Sequence, residues 1–167
     1  NIDFNTAFLD GSKFEADANK YKFVWKPTKY HQKLSDKIRI ILSKYELSRN
    51  VPETGIIPAT TIADKITKFN NLISNIDISD KSNKEIFKDY EFLKSALIKS
   101  LEYEEKEKIC GPDRNSYYKT DHDATAMCLK RDYYSGLGTN THAAYNTQII
   151  VCKGLIATYY VSQSRSD

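Results

Sequence analysis

The sequence lacks any long apolar run. No uninterrupted hydrophobic stretch in it approaches the ~20 residues that a membrane-spanning helix requires. Residues 1–10 also lack the basic start and the following apolar stretch of a signal peptide. These absences predict a cytoplasmic protein with no membrane partner.

Cysteine is scarce, and neither charge sign is in strong excess. The three cysteines, Cys110, Cys128 and Cys152, show no CxxC spacing, which argues against a zinc site and against a disulfide framework. With 25 basic and 22 acidic residues, the formal net charge is only +3. Such a charge permits a polyanionic partner but does not require one. Internal repeats and low-complexity segments are missing as well.

The N-terminal region, residues 1–27, has the pattern of β-strands. Residues 7–9 form a short apolar run that ends at Asp10-Gly11, and the aromatic residues of 21–25 alternate with other side chains. Two strands, or one strand and an extended arm, are expected. Pro27 then breaks the pattern.

The spacing changes to that of helices across residues 28–108. Apolar residues recur there at intervals of three and four in three separate stretches, which predicts three amphipathic helices. Thr60 and Thr61 are the candidate N-caps of the second helix. Residues 102–108, EYEEKEK, mix both charge signs at helical spacing, which is typical of a solvated helix end rather than of a binding site.

Residues 109–167 return to a β pattern. Residues 147–151 are rich in β-branched side chains, Lys153-Gly154 can form a turn, and residues 155–161 supply a partner strand. The sequence therefore predicts a hairpin at this end. A helical block between a first strand and a later hairpin predicts an α/β fold with a helical insertion.

Asp10 is the first residue whose position suggests chemistry. It follows an apolar run and precedes Gly11, so we expect its carboxylate at the mouth of a buried strand, where the backbone turns sharply away. Asp-Gly is also a frequent turn pair, and from the dipeptide alone a plain turn is the alternative.

Two longer blocks of sequence resemble one group of bacterial insertion-sequence transposases. The first is FLDGSKFEADANKYKFVWK, which is similar to that group's strand ending in Asp-Gly-Thr-Lys, its run of small residues and its Phe-Val-Trp-Lys strand. The second comprises RNSYYKTDHDATAMCLKRD and then AYNTQIIV, which resemble the group's Arg-Asn-Ser, Thr-Asp-Pro-Asp-Ala-Thr and Tyr-Asn-Gln signatures in the same order. The blocks cover roughly residues 5–26 and 114–167, whereas residues 28–108 match only in character and position.

This resemblance implies a DDE-type transposase with an RNase H-like fold. In that family the Asp that ends the first strand is one of three acidic residues that hold divalent metal ions, so the resemblance implies that Asp10 is a catalytic residue and a metal ligand. Mg²⁺ and Mn²⁺ are hard ions that prefer carboxylate oxygens. Two such ions ~3.5–4 Å apart can activate the attacking oxygen and stabilise the leaving one in phosphodiester displacement. The implied partners are transposon-end and target DNA and, in the complete enzyme, a second copy in a homodimer.

The other two acidic residues of that family are missing from this chain. Their motifs do not occur up to Asp167, which itself matches a family residue outside the metal-binding three. We therefore expect a partial catalytic domain, inactive by itself. It would consist of residues 1–27 as the first strands of a mixed sheet, residues 28–108 as a helical insertion, and residues 109–167 as an extended segment and a hairpin.

Asp121-His122-Asp123 forms a second acidic cluster. An extended backbone would place its two carboxylates on the same side, as a metal site requires. Asp residues before an ordered element more often cap or turn the chain, and this alternative is favoured. The cluster also departs from the family at His122, where Pro is usual.

Basic and aromatic residues near Asp10 are candidate DNA contacts. Lys13, Lys22 and Lys26 are predicted to meet phosphates. Tyr21 and Trp25 offer rings on which an exposed base could stack. The alternative is that the lysines are solvated and the aromatic rings pack against the sheet.

Two other functions stay open. The chain could be a non-catalytic remnant of a broken reading frame that acts as a DNA-binding or protein-interaction helical module. Cys152 favours this possibility, since relatives often carry a polar or acidic residue there. A helical adaptor, in which residues 28–108 fold alone and bind a protein partner, is the third candidate.

Overall fold

The chain has a mixed α/β architecture with three helices and antiparallel sheets, which confirms the predicted α/β class. The computed structural model describes residues 6–74, 76, 80, 83–129 and 140–165. The chain divides into two compact units, one formed by residues 1–25 and 112–167 and the other by residues 26–111. Within the described ranges, no helix is both long enough and apolar enough to span a membrane.

The second unit contains the three predicted helices. They are α1 (Thr28–Lys44), α2 (Ala59–Ile73) and α3 (Lys84–Cys110). Their apolar stripes meet in a core whose centre includes Ile38, Leu42, Phe69 and Leu93, each 0% exposed. The helices form because each can bury one such stripe only against the other two. Helix α3 ends where Gly111 takes a positive φ of 67° and Pro112 follows.

Two glutamates near the end of α3 make partly buried tertiary contacts, which corrects the expectation of a solvated helix end. Glu107 Oε2 lies 3.2 Å from Nδ1 of His31, a residue of α1 whose side chain is 1% exposed. Glu104 accepts a 2.7 Å hydrogen bond from the backbone N–H of Ala59, the first residue of α2. Acidic side chains on α3 thus tie it to both other helices, while Glu102 and Lys106 pair at the surface as expected.

The predicted caps of α2 are wrong. Thr60 and Thr61 lie inside the helix. The N-cap position is Pro58, whose side chain has no atom that can accept a hydrogen bond. Glu104 supplies that acceptor from another helix. A cap supplied by a residue that is distant in sequence cannot be recognised from the residues around the helix start.

The first unit contains the strands, arranged in two sheets. In chain order they are β1 (Phe8–Glu15), β2 (Phe23–Trp25), β3 (Ser116–Tyr118), β4 (Thr125–Cys128), β5 (Thr141–Cys152) and β6 (Leu155–Ser162). Strand β5 is central, with β1 on one edge and both β4 and β6 on the other, and β2 pairs with β3 separately. Every pairing among the described strands is antiparallel, so the parallel part of the expected mixed sheet is not among them.

Strands β5 and β6 form the predicted hairpin. Its turn residues, Lys153 and Gly154, have φ values of 50° and 76°. Two consecutive positive φ values match the twist of the paired strands, which is why glycine suits the second position. Strand β5 begins at Thr141, earlier than the β-branched stretch suggested.

Candidate functional site

Asp10 is the third residue of β1 and does not end the strand. Its Cα partner across the sheet is Ile149 of β5. The expected sharp turn at Asp10-Gly11 is therefore wrong, and Gly11 is not among the glycines with positive φ. The strand continues because β5 is 12 residues long and pairs with β1 as far as Glu15.

The carboxylate of Asp10 stands on an exposed face of the sheet. Side chains alternate along a strand, so Asp10 shares its face with Ser12, and directly paired residues of neighbouring strands share it too. Asp10 pairs with Ile149 of β5, which in turn pairs with Tyr159 of β6, and Ser12 pairs with Thr147. Hydroxyl and apolar groups therefore surround the carboxylate on this face.

Asp10 fits one ligand position of a hard metal ion. Its side chain is solvent-exposed and provides oxygen donors, which Mg²⁺ and Mn²⁺ prefer. Within the part of the chain that the structure describes, no group of three or more His, Cys, Asp or Glu side chains is placed to hold a metal ion. Further ligands would have to join Asp10 before a metal site exists.

The three predicted DNA-binding lysines belong to both units of the chain, Lys13 and Lys22 to the first and Lys26 to the second. Lys13 is on β1 but faces the opposite side of the sheet from Asp10, because the two residues are an odd number of positions apart. Lys22 is an exposed residue just before β2. Lys26 belongs to the helical unit, where its ammonium donates a 2.6 Å hydrogen bond to the carbonyl of Gly111 after α3. Of the three, Lys22 alone combines exposure with a position in the unit of Asp10 next to an aromatic strand.

The aromatic residues around β2 are largely exposed. Tyr21 is 80%, Phe23 41% and Trp25 65% exposed. The Phe23 ring meets Trp25 edge to face at 5.3 Å and Tyr118 at 6.5 Å between ring centroids. Most of the Tyr21 and Trp25 side chains is therefore open to solvent, and the ammonium of Lys20 lies 5.4 Å from the centroid of the Tyr21 ring.

The second acidic cluster folds as a turn. Asp121 Oδ1 accepts hydrogen bonds from the backbone N–H groups of Asp123 (3.1 Å) and Ala124 (3.2 Å), and its Oδ2 accepts one from the hydroxyl of Tyr145 (2.5 Å). These bonds occupy both carboxylate oxygens, as the capping alternative predicted. The carbonyl of His122 accepts a 2.5 Å hydrogen bond from Arg114.

The Asp121–Tyr145 hydrogen bond shifts the acidity of both groups. The bond from the Tyr145 hydroxyl, followed by the two backbone N–H bonds, lowers the pKa of Asp121 below 3.8. Burial, followed by the bond to Asp121, raises the pKa of Tyr145 to about 12. Both shifts keep the pair as carboxylate and phenol, with the proton on the tyrosine, across the neutral range.

Replacing Asp121 with asparagine is expected to destabilise the β unit by about 1 kcal/mol at pH 7, since it weakens charge-assisted bonds in a partly exposed loop. Folding lowers the pKa of Asp121 below its unfolded value of 3.8. The stability that the Asp121 carboxylate contributes is therefore complete above pH 3.8, and it is lost as the pH falls through the lower pKa of the folded protein. The stability difference between the two proteins should therefore vanish in acid. Urea unfolding followed by Tyr and Trp fluorescence at several pH values measures it.

Asp123→Asn is the matched control, because it removes the same charge from an exposed position in the same loop. We expect it to change stability by less than about 0.5 kcal/mol. An Asp121→Asn penalty that stays unchanged down to the lowest pH at which the protein still folds would contradict the assigned hydrogen bonding.

A cleft of about 970 Å³ lies beside this turn, between the start of β4 and the segment that follows β6. Charged side chains of both signs line it, including Arg114, Asp123 and Arg165. Sequence reasoning missed this cleft, since its walls come from four separate stretches of chain. Its balanced charge does not single out one class of ligand.

A contact between the buried His142 and the half-exposed Glu15 on the opposite sheet face was also missed. Nδ1 of His142, whose side chain is 1% exposed, lies 2.8 Å from Glu15 Oε1. Asn146 on the same face is likewise 1% exposed. At this end of the sheet, the face of His142 and Asn146 is polar and buried. The other face, which also carries Asp10, packs a small apolar cluster that includes Ala16, Tyr118 and Ala143.

Cys152 is buried at the hairpin end of β5, where it is 2% exposed. Asp167 lies outside the described residues. Comparison of the chain with protein-family models, with curated proteins and with solved structures found no match.

Proposed function

We propose that this chain is part of the catalytic domain of a DDE-type insertion-sequence transposase with an RNase H-like fold. The observation that carries the proposal is the position of Asp10, an exposed carboxylate on β1, whose neighbour in the sheet is the hairpin strand β5. In the transposase family that the two sequence blocks resemble, this aspartate is the first metal ligand.

The sheet supports the proposal. Strands β1, β5 and β6 lie side by side and antiparallel, although the helical unit separates β1 from the hairpin in sequence. That arrangement agrees with a first strand, a helical insertion and two further strands of one sheet. The sheet also holds the carboxylate on a regular backbone, which limits its movement when like charges are brought near.

In the proposed enzyme, Asp10 supplies one oxygen ligand to Mg²⁺ or Mn²⁺. When bound, the metal ions activate the attacking oxygen and stabilise the leaving oxygen of a phosphodiester. The two other acidic ligands are proposed to come from segments of the protein beyond this chain. The 167 residues alone are then inactive.

In the unit that contains the strands, the proposed DNA contacts centre on β2. Tyr21 and Trp25 expose their rings, and Lys22 between them carries a positive charge. Aromatic rings stack on unpaired bases, and lysines attract the backbone that links those bases. Transposon-end and target DNA are the proposed ligands, and a homodimer is the proposed complete assembly.

The test is strand cleavage by the protein encoded by the complete reading frame. Purified protein is mixed with DNA that carries the ends of its element, with Mg²⁺, with Mn²⁺ or with a chelator. We expect cleavage with either metal and none with the chelator or with the 167-residue chain. Absence of cleavage with both metals would contradict the proposal.

A non-catalytic remnant is the second candidate function. The observation that favours it is that, among the described residues, Asp10 belongs to no group of three or more His, Cys, Asp or Glu side chains that could hold a metal ion. A helical unit with its own core could then serve as a DNA-binding or protein-interaction module. DNA binding without metal-dependent cleavage by the complete protein would favour this candidate.

A further inference from the structure

A groove between α1 and α3 of the helical unit concentrates positive charge. It has a volume of about 280 Å³. Lys33 and Lys37 of α1 and Lys99 of α3 line it, and all three side chains are exposed. We call these three residues, together with Tyr30 and Tyr103 on its walls, the lysine groove.

Among the residues that the structure describes, no acidic side chain lines this groove. Within the described ranges, its three lysines form no ion pair, whereas other lysines of the same unit do. Lys68 pairs with Asp64 at 2.8 Å, and Lys94 pairs with Glu91 at 2.9 Å. The positive charge of the groove is therefore not neutralised from within.

The neighbouring acids are already engaged elsewhere. Asp36, between the two groove lysines of α1 in sequence, accepts a 2.7 Å bond from Arg39 and a 3.0 Å bond from Gln32. Glu102, which follows Lys99 by about one turn of α3, pairs with Lys106. The pKa of Glu102 is lowered mainly by Lys106 and to a smaller extent by Lys99, so Glu102 offsets only part of the charge of Lys99.

The spacing of the groove residues suits a chain of phosphates. Lys33 and Lys37 are one helical turn apart, so they project from the same face about 6 Å from each other along the axis. Tyr30 precedes Lys33 by about one turn on that face and is 68% exposed. Cations in series beside an exposed ring match a nucleic-acid strand, which carries regularly spaced phosphates along its backbone and one base on each sugar.

We propose that the lysine groove binds the phosphate backbone of DNA, with Tyr30 placed to contact a base or sugar. The choice of DNA as the polyanion rests on the proposed transposase function. The groove would give the helical unit a direct part in holding DNA, separate from Asp10 and from the aromatic residues of β2. An acidic peptide is the less suitable ligand, because it would use the lysines and leave the tyrosine ring without a partner.

The test replaces Lys33, Lys37 and Lys99 together with glutamine in the 167-residue chain. Fluorescence anisotropy with a labelled duplex of mixed sequence gives the binding constant between about 50 and 200 mM salt, the range in which such binding responds strongly. We expect the slope of log K against log salt to become less negative by about 2.7, at about 0.9 per lost contact. Between about 50 and 200 mM salt, the binding constant of the wild type should therefore fall about 40-fold more than that of the variant.

The matched control replaces Lys68, Lys94 and Lys106 with glutamine. It removes the same net charge from the same unit, but from lysines that are paired with acids. The control should keep nearly the wild-type slope. Lys99→Gln alone should change the slope by about 0.9, which tests one contact without a large change in charge.

Three results would overturn the groove assignment. They are equal effects of the two triple variants, an unchanged slope in the groove variant, and no duplex binding by the wild type at low salt. Metal-dependent cleavage by the complete protein carrying unaltered Asp10 is measured separately. The groove can therefore fail while the transposase proposal stands, and cleavage can fail while the groove still binds DNA.

Discussion

Asp10→Asn in the complete protein is expected to reduce DNA strand cleavage by roughly 10³-fold or more. The substitution keeps the size of the side chain but removes the negative charge and one strong oxygen ligand. Metal ions contribute several kcal/mol to transition-state stabilisation in reactions of this type, and each ~1.4 kcal/mol corresponds to a factor of ten in rate. Cleavage of labelled transposon-end DNA, followed over time in Mg²⁺ and in Mn²⁺, measures the effect.

The variant should still fold and bind DNA. Asp10 is exposed on β1, and the backbone pairing with Ile149 does not involve its side chain. Affinity for the DNA should therefore change little, because the residue is proposed to contact metal rather than phosphate. Asp17→Asn is the matched control, since Asp17 is an exposed acid shortly after the same strand. Cleavage by Asp10→Asn at the wild-type rate, or an equal loss in the control, would remove Asp10 from the proposed active site.

Phe69→Ala should destabilise the helical unit by about 3–5 kcal/mol, a large part of the ~5–15 kcal/mol that stabilises a typical domain. Phe69 is 0% exposed at the centre of the three-helix core. Its ring meets Tyr45 edge to face at 4.7 Å and stacks near Tyr90 at 5.7 Å between centroids. Removing it leaves a cavity and deletes both ring contacts. Urea unfolding followed by far-ultraviolet circular dichroism reports on the helices.

Leu72→Ala is the control on the same helix, because Leu72 is 50% exposed. We expect it to cost no more than about 0.5 kcal/mol, as is usual for surface substitutions. Similar losses in the two variants would mean that α2 buries a different face from the one described.

The helices and the hairpin were predictable because their signals are local. Residues three and four positions apart must share a helical face, so the apolar spacing in 28–108 identified the stripes that meet in the core. The β-branched stretch at 147–151, followed by Lys153-Gly154, identified the hairpin for a similar reason, since its strands are joined by one short turn.

The candidate site was predictable only in part. The sequence pointed to Asp10 and to a strand, and the structure places Asp10 on β1 beside β5. The end of that strand was predicted at Asp10-Gly11, since the turn preference of the dipeptide is the local signal there. A long partner strand overrides that preference, because each further backbone pair adds hydrogen bonds to β1.

The sequence by itself determined the order of the three helices and the later hairpin, the faces of the helices and the position of Asp10 on the first strand. Only the tertiary structure decided that Glu104 caps α2, that Tyr145 holds Asp121, and that Lys33, Lys37 and Lys99 line one groove. The physical reason is the range of the interactions concerned. Periodicity and turn preference act over a few residues, whereas these contacts join side chains that are distant in sequence and meet only after the chain has packed.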